Sequence, residues 1–191
     1  MKTFLFSIAM ATIFLAACNS NSNQKIKNQT TANDTASGSR SEKQIAKSPV
    51  NEVISAYLQL KNALVNDDDK AAATAGNTLK TAAEKVMPST LSPALAKVFK
   101  DITDDVKEHG EHIAANAGNI EHQREHFEML SQEIYDLAKA NEKSGQKLYY
   151  DHCPMYNNKK GGNWISETKT ISNPYLGKKM TTCGSVQEEL N

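Results

Sequence analysis

The sequence predicts an all-α protein, an antiparallel bundle of about four helices with an irregular Cys- and Met-bearing flap at its C-terminal end. Three observations carry that expectation. Apolar side chains recur at three-to-four spacing through successive runs between Pro49 and Leu137. Helix-opening pairs, Ser48-Pro49 and Ser92-Pro93, stand where two of those runs begin. Aromatic content is 6%, low for a large β core and ordinary for a small helical one.

The chain of 191 residues has room for one domain and a tail. Basic and acidic residues number 22 each, and no arginine-rich patch breaks the mixture, which argues against a nucleic-acid partner. Met1 and Lys2 precede "TFLFSIAMATIFLAA", an uncharged apolar run with the layout of a secretory signal peptide over residues 1–17. The run is too short for a confident spanning helix. It closes on "LAAC", residues 15–18, which resembles the lipobox of bacterial lipoproteins. The resemblance implies lipidation of Cys18 and attachment to the membrane through that anchor alone. Such a chain sits in the bacterial cell envelope facing the periplasm, where thiols meet an oxidising milieu. Residues 19–48 are rich in Asn, Ser, Thr and Gln with almost no large apolar side chains. They cannot bury enough surface to offset chain entropy, so residues 18–48 are expected to form a disordered tether.

Helix 1 is expected over about 49–65, with Ser48 as its cap and Val50, Val53, Ile54, Tyr57, Leu60 and Leu64 on its apolar face. Helix 2 opens on the acids of "DDDK", Asp67, Asp68 and Asp69, covers about 68–86 and stops before Pro88. Gly76 weakens it, and its many alanines suggest close packing on its neighbours. Helix 3 follows Ser92-Pro93 with Leu95, Val98, Phe99, Ile102, Val106 and Ile113 in one stripe, ending near "NAGN". Helix 4 starts around Asn119 and carries Ile120, Phe127, Leu130, Ile134 and Leu137. The short link between the last two makes them antiparallel neighbours. The bundle thus spans 49–143. Residues 144–191 lack a helical period; turns and short extended pieces such as "NWISE" are expected there, packed on the bundle.

The flap holds His152, Cys153 and Met155 in one cluster and Met180 and Cys183 in another. Thiolate and thioether sulfurs are soft ligands that select Cu(I) over hard cations. Zinc sites use Cys and His but seldom a thioether, so Met beside Cys points to copper. The alternative is a Cys153–Cys183 disulfide that staples a structural flap presenting Trp164 and its tyrosines to a partner protein. The two are compatible, since a dithiol that binds copper when reduced can oxidise when empty. Cys153 beside His152 also invites a nucleophile-and-base reading. Adjacent side chains seldom aim at each other, however, and no oxyanion-hole or cofactor motif accompanies them, so no enzymatic activity is expected.

At 100° per residue His109 falls inside the apolar stripe of helix 3 and His112 lies at its flank. His126 borders the Phe127 and Leu130 face of helix 4, whereas His122 points further outward. Antiparallel pairing sets His109 level with His126 and His112 level with His122, gathering four imidazoles near one end of the hairpin. His109, His112 and His126 are therefore candidate metal ligands with His152. The competing interpretation is of satisfied core histidines and solvated faces in "EHGEHI" and "IEHQREHF". Arg124, with Glu121, Glu125 and Glu128 around it, reads as a salt-bridged helix residue.

Three stretches, "EHIAANAGNIEHQREHFEMLSQEIYDL" (111–137), "LYYDHCPMYNNKKGGNWISE" (148–167) and "ISNPYLGKKMTTCG" (171–184), resemble a family of envelope domains catalogued as being of unknown function. These occur alone in bacterial lipoproteins and fused to the periplasmic adaptor subunits of copper/silver efflux pumps. The resemblance implies a helical bundle whose tail handles copper or a related soft metal, with an efflux adaptor or pump as partner. It sets Cys153, Pro154 and Met155 on the family's Cys-Pro-Met, and Met180 and Cys183 on its Met-x-x-Cys. Gln123, Arg124 and Phe127 match a segment that looks structural.

Overall fold

A computed structural model describes residues 49–141 and 145–190; the leader, Cys18, the tether and the Ser48 cap lie outside these residues. Four long helices form where the apolar period predicts them: α1 (Pro49–Val65), α2 (Asp69–Lys85), α3 (Pro93–Ala115) and α4 (Ile120–Ala140). The starts of α2, α3 and α4 are side-chain capped. The Asp68 carboxylate accepts the Ala71 N–H at 2.9 Å, the Ser92 hydroxyl the Leu95 N–H at 3.4 Å with Pro93 in the first turn, and the Asn119 side-chain carbonyl the His122 N–H at 3.3 Å. Each cap satisfies a donor that the helix itself cannot.

Consecutive helices pack side by side, α2 between α1 and α3 and α4 against α3, with α1 also touching α4. Tyr57, Leu60, Leu64, Leu79, Val106, Ile113, Phe127, Leu130 and Ile134 fill the space between them. Burial of such side chains stabilises by roughly 1.5–3 kcal/mol each relative to exposure. The glycine that weakens α2 has a use. A Cβ on Gly76 would lie 2.7 Å from the Gly110 carbonyl oxygen, and one on Gly110 2.9 Å from that of Gly76, so this pair lets α2 and α3 cross with their backbones almost touching. Among the described residues no helix is long and apolar enough to cross a membrane.

The tail corrects the all-α expectation. Instead of an irregular flap it forms a three-stranded antiparallel sheet of order β2-β1-β3, from β1 (Leu148–Cys153), β2 (Gly162–Ser166) and β3 (Ser185–Leu190). β2 is the extended "NWISE" piece, and it packs against α4. β3 escapes notice because "SVQEEL" is poor in β-formers; pairing with β1 makes it a strand, and its burial then alternates with the pleat. The turn between β1 and β2 is left-handed at Asn157, Asn158 and Lys159, with φ of 48°, 55° and 68°, a conformation asparagine tolerates better than most residues.

Aromatic rings seal the sheet to the bundle. Tyr57 stacks on Phe127 at 5.1 Å between centroids, Phe127 meets Tyr175 edge-on at 5.6 Å, and Tyr175 in turn touches Trp164 and Tyr156. The Tyr57 hydroxyl contacts Ser131 Oγ at 2.8 Å and accepts the Ile165 N–H of β2 at 3.1 Å. Trp164 is 0% exposed, a core residue and not a surface anchor for a partner.

Charge is buried with this sheet. Lys61 pairs with Glu167 at 2.6 Å, whereas Asp151, 0% exposed, has no hydrogen-bond partner on either carboxylate oxygen among the described residues. Burial pushes the Asp151 carboxyl up to about 7 against the pull of nearby Lys61. The folded state therefore binds this proton more tightly than the unfolded chain, and Asp151 lowers stability as pH rises from about 4 to about 7. Asp151→Asn is expected to gain about 2 kcal/mol of urea-unfolding stability on the wild type between pH 5 and pH 8, the part of the effect that falls above pH 5. An equal difference at both pH values would refute the assignment.

Candidate metal centre

The helical hairpin delivers the imidazoles together. His112, near the C-terminal end of α3, and His122 and His126, one turn apart on the first half of α4, each offer a donor atom within 4.8 Å of the other two. Among the described residues this is the one group of three or more His, Cys, Asp or Glu side chains so disposed. His126 is the hub. Its Nε2 lies 3.2 Å from His122 Nε2, its ring stacks on His112 at 4.5 Å between centroids, and its Nδ1 lies 3.1 Å from His109 Nδ1. Two nitrogens bound to one ion at 2.0–2.1 Å sit about 3.4 Å apart at the tetrahedral angle, so His122 and His126 already have the spacing of neighbouring ligands. His112 is exposed and offers the third donor from the facing helix.

Carboxylates ring these imidazoles. Glu125 Oε2 lies 3.2 Å from His122 Nδ1, Glu133 Oε1 3.5 Å from His109 Nε2 and Glu108 Oε1 3.8 Å from His112 Nε2. The Glu133 hydrogen bond raises the pKa of His109 despite its burial. Burial, reinforced by the three neighbouring imidazoles, lowers that of His126, which favours the neutral, ligating form. The signal that His122 belongs with this group is its i,i+4 relation to His126, which puts both on one helix face; angular placement against the apolar stripe alone sets it too far out.

The sulfurs form a separate site. Cys153 ends β1 and is fully buried, Cys183 is partly exposed, and both are free thiols with Sγ atoms 3.0 Å apart. Asn173 holds the second cysteine in place: its side chain donates to the Cys183 carbonyl at 2.7 Å and accepts the Tyr175 and Leu176 N–H groups at 2.8 and 2.9 Å. Gly184, at φ +141°, lets this loop approach β1, since a Cβ there would lie 2.8 Å from the His152 carbonyl oxygen. The Cys153 thiol and burial push the Cys183 thiol up, while the Met155 N–H hydrogen-bonds to it. Of the two predicted thioethers, Met155 is 49% and Met180 47% exposed. His152 turns to Asn163, its Nδ1 2.8 Å from Oδ1. The structure thus brings the two thiols together, keeps the thioethers half in solvent, and gathers His109, His112 and His122 around His126. Met87 and Met129 are exposed as well, and no described methionine lies in the core, although methionine is ordinarily among the buried residues.

The fold and site define a four-helix bundle capped by a small antiparallel sheet, with an imidazole cluster on one hairpin. Residues 53–146 match the model of a family described as "Protein of unknown function (DUF3347)". All four clustered histidines lie inside the matched segment, and Cys153 and Cys183 lie beyond it. No curated protein and no solved structure matches the chain.

Proposed function

We propose that this chain is a copper-binding lipoprotein of the bacterial cell envelope, anchored through Cys18, facing the periplasm, and serving as buffer, chaperone or accessory to heavy-metal efflux. One observation supports this reading most directly: the imidazoles of His122 and His126 lie at ligand spacing with a His112 donor within 4.8 Å of both, and carboxylates stand beside them. Imidazole donors suit copper, zinc, iron and nickel, and copper heads the affinity order among divalent ions. The solvent-facing thioethers of Met155 and Met180 add soft donors suited to Cu(I).

Copper titration of the purified chain against a competing chelator, in both oxidation states, is the test. Binding is expected to fall at least about 100-fold in His126→Ala and His122→Ala, comparable to removing one strong ligand, and to stay within about threefold in Cys153→Ser and Cys183→Ser. Loss confined to the cysteine variants would move the ion to the sulfurs and overturn the imidazole assignment; an unmetallated wild type would overturn the function.

A second reading, a structural or interaction lipoprotein whose tail is stapled by a Cys153–Cys183 disulfide, is favoured by the thiol separation of 3.0 Å. It concerns the tail and coexists with an ion on the helices.

A further inference from the structure

We infer that Met129 is a further ligand of the imidazole site, the thioether that holds copper there as Cu(I) and separates Cu(I) from zinc. This role rests on the copper reading of the preceding section. Helix geometry puts the sulfur within reach. His122, His126 and Met129 stand at i, i+4 and i+7 on α4, the recurrence of one helix face. At 3.6 residues per turn Met129 falls about 20° from His122 and about 60° from His126, on the side away from Phe127 and Leu130. Side chains on a helix lean back over the turn before their own Cα. The thioether of Met129 therefore covers the turn of Glu125 and His126, and Glu125 Oε2 in turn lies 3.2 Å from His122 Nδ1.

Packing does not account for this methionine. Met129 is 48% exposed, whereas Phe127, Leu130 and Ile134 supply the buried face of α4. The two helices of the hairpin carry a single sulfur atom between them, and it stands on the imidazole face. The remaining donors there are imidazole nitrogens and carboxylate oxygens, a set that suits zinc and Cu(II). A thioether is uncharged and soft, so it adds little for either of those ions and much for Cu(I). Met155 and Met180 are committed elsewhere. The Met155 N–H hydrogen-bonds to the Cys183 thiol, and the Met180 carbonyl accepts the Cys183 N–H at 3.1 Å, which ties both to the tail.

Two measurements test the assignment, both on chains carrying Cys153→Ser and Cys183→Ser, so that no thiol competes for the ion. Ag(I) stands in for Cu(I) as a soft, diamagnetic probe. With isotope-labelled methionine methyl groups, Ag(I) is expected to shift the Met129 signal and to leave that of Met87, in the link before α3, where it is. Cu(I) affinity, read by chelator competition, is expected to fall at least about 10-fold in Met129→Leu, no less than the loss of an outer-shell partner. Zinc affinity should stay within about threefold, since zinc seldom uses a thioether, and Met87→Leu should change neither. Leucine keeps the apolar bulk, so a folded variant isolates the sulfur. A Met129 methyl that Ag(I) leaves in place, or an unchanged Cu(I) affinity in Met129→Leu, would overturn the proposal; if His126→Ala still removes copper, the copper reading stands without it. Equal losses of Cu(I) and zinc would also overturn it, by making Met129 a packing residue of the site. A chain that takes up neither Ag(I) nor copper would overturn both.

Discussion

Arg124→Ala is expected to destabilise the folded chain by about 3–5 kcal/mol, the range for removing one partner of a buried charge network, and to lower the melting temperature by about 10 °C. The guanidinium is 4% exposed and holds three parts of the fold at once. Its Nη2 donates to Asp67 Oδ1 at 2.5 Å and to the Leu64 carbonyl at 3.1 Å, at the C-terminal end of α1, while Nε donates to the Pro174 carbonyl of the tail at 2.8 Å. Truncation leaves the buried Pro174 carbonyl unsatisfied, at roughly 1–3 kcal/mol, leaves the Leu64 carbonyl with the Asp67 N–H alone at 3.1 Å, and frees the loop that carries Cys183. Burial works against the Asp67 charge, yet the bonds from Arg124 and the Lys178 N–H prevail and hold its carboxyl below the usual range. That contribution is present above the unfolded carboxylate pKa and disappears as pH falls through the lower folded value. Arg124→Lys should recover little, because one ammonium cannot reproduce the planar fork. Chemical denaturation of the three proteins checks this; a loss under about 1 kcal/mol for the alanine variant, below the cost of one unsatisfied carbonyl, would show that the network contributes little.

Ion pairing along one helix is the simplest reading of Arg124; it finds Glu121, 3.5 Å from Nη1, and misses the rest of the network because Asp67 and Pro174 are 57 and 50 positions away. Local signals serve well elsewhere. Helical period and caps locate all four helices, since each helix buries one stripe and its ends need side-chain acceptors. Pairing α3 with α4 as an antiparallel hairpin is enough to bring His109 level with His126, for that relation depends on rise per residue alone. What period cannot show is the reach of a ring, and so His122 belongs to the cluster although its Cα direction points outward.

The tail is harder to read for a different reason. A strand such as "SVQEEL" becomes one through its partner, and β1 combines Leu148, Asp151 and Cys153 as its buried positions, a pattern interrupted by the register shift between Tyr150 and Asp151. Lys61 and Asp151 are core residues that composition assigns to the surface, because charged side chains are seldom fully buried. The loop that presents Cys183 is organised by Asn173, whose amide replaces a backbone turn.

Oxidation of the two tail thiols is expected to raise stability by about 3–4 kcal/mol, the chain-entropy value for cross-linking residues about 30 apart, and the melting temperature by about 10 °C. The separation of 3.0 Å is about 1 Å longer than a sulfur–sulfur bond. It is shorter than the roughly 3.8 Å between two sulfurs bound tetrahedrally to one ion at about 2.3 Å. Closing the pair thus takes a small inward shift of the half-exposed Cys183, whereas admitting an ion means prising Cys183 away from a fully buried Cys153. A small-molecule disulfide is the oxidant: it takes up both thiol hydrogens as the Cys153–Cys183 bond forms and leaves as two thiols. Melting the chain after this treatment and again with excess reductant, with thiol counting on each sample, reads the effect. Cys153→Ser combined with Cys183→Ser should melt alike under both conditions. Equal melting of the oxidised and reduced wild type, with the bond shown by thiol count, would remove the staple. A reduced chain that gains stability from Cu(I) only while both thiols are present would assign the pair to metal instead.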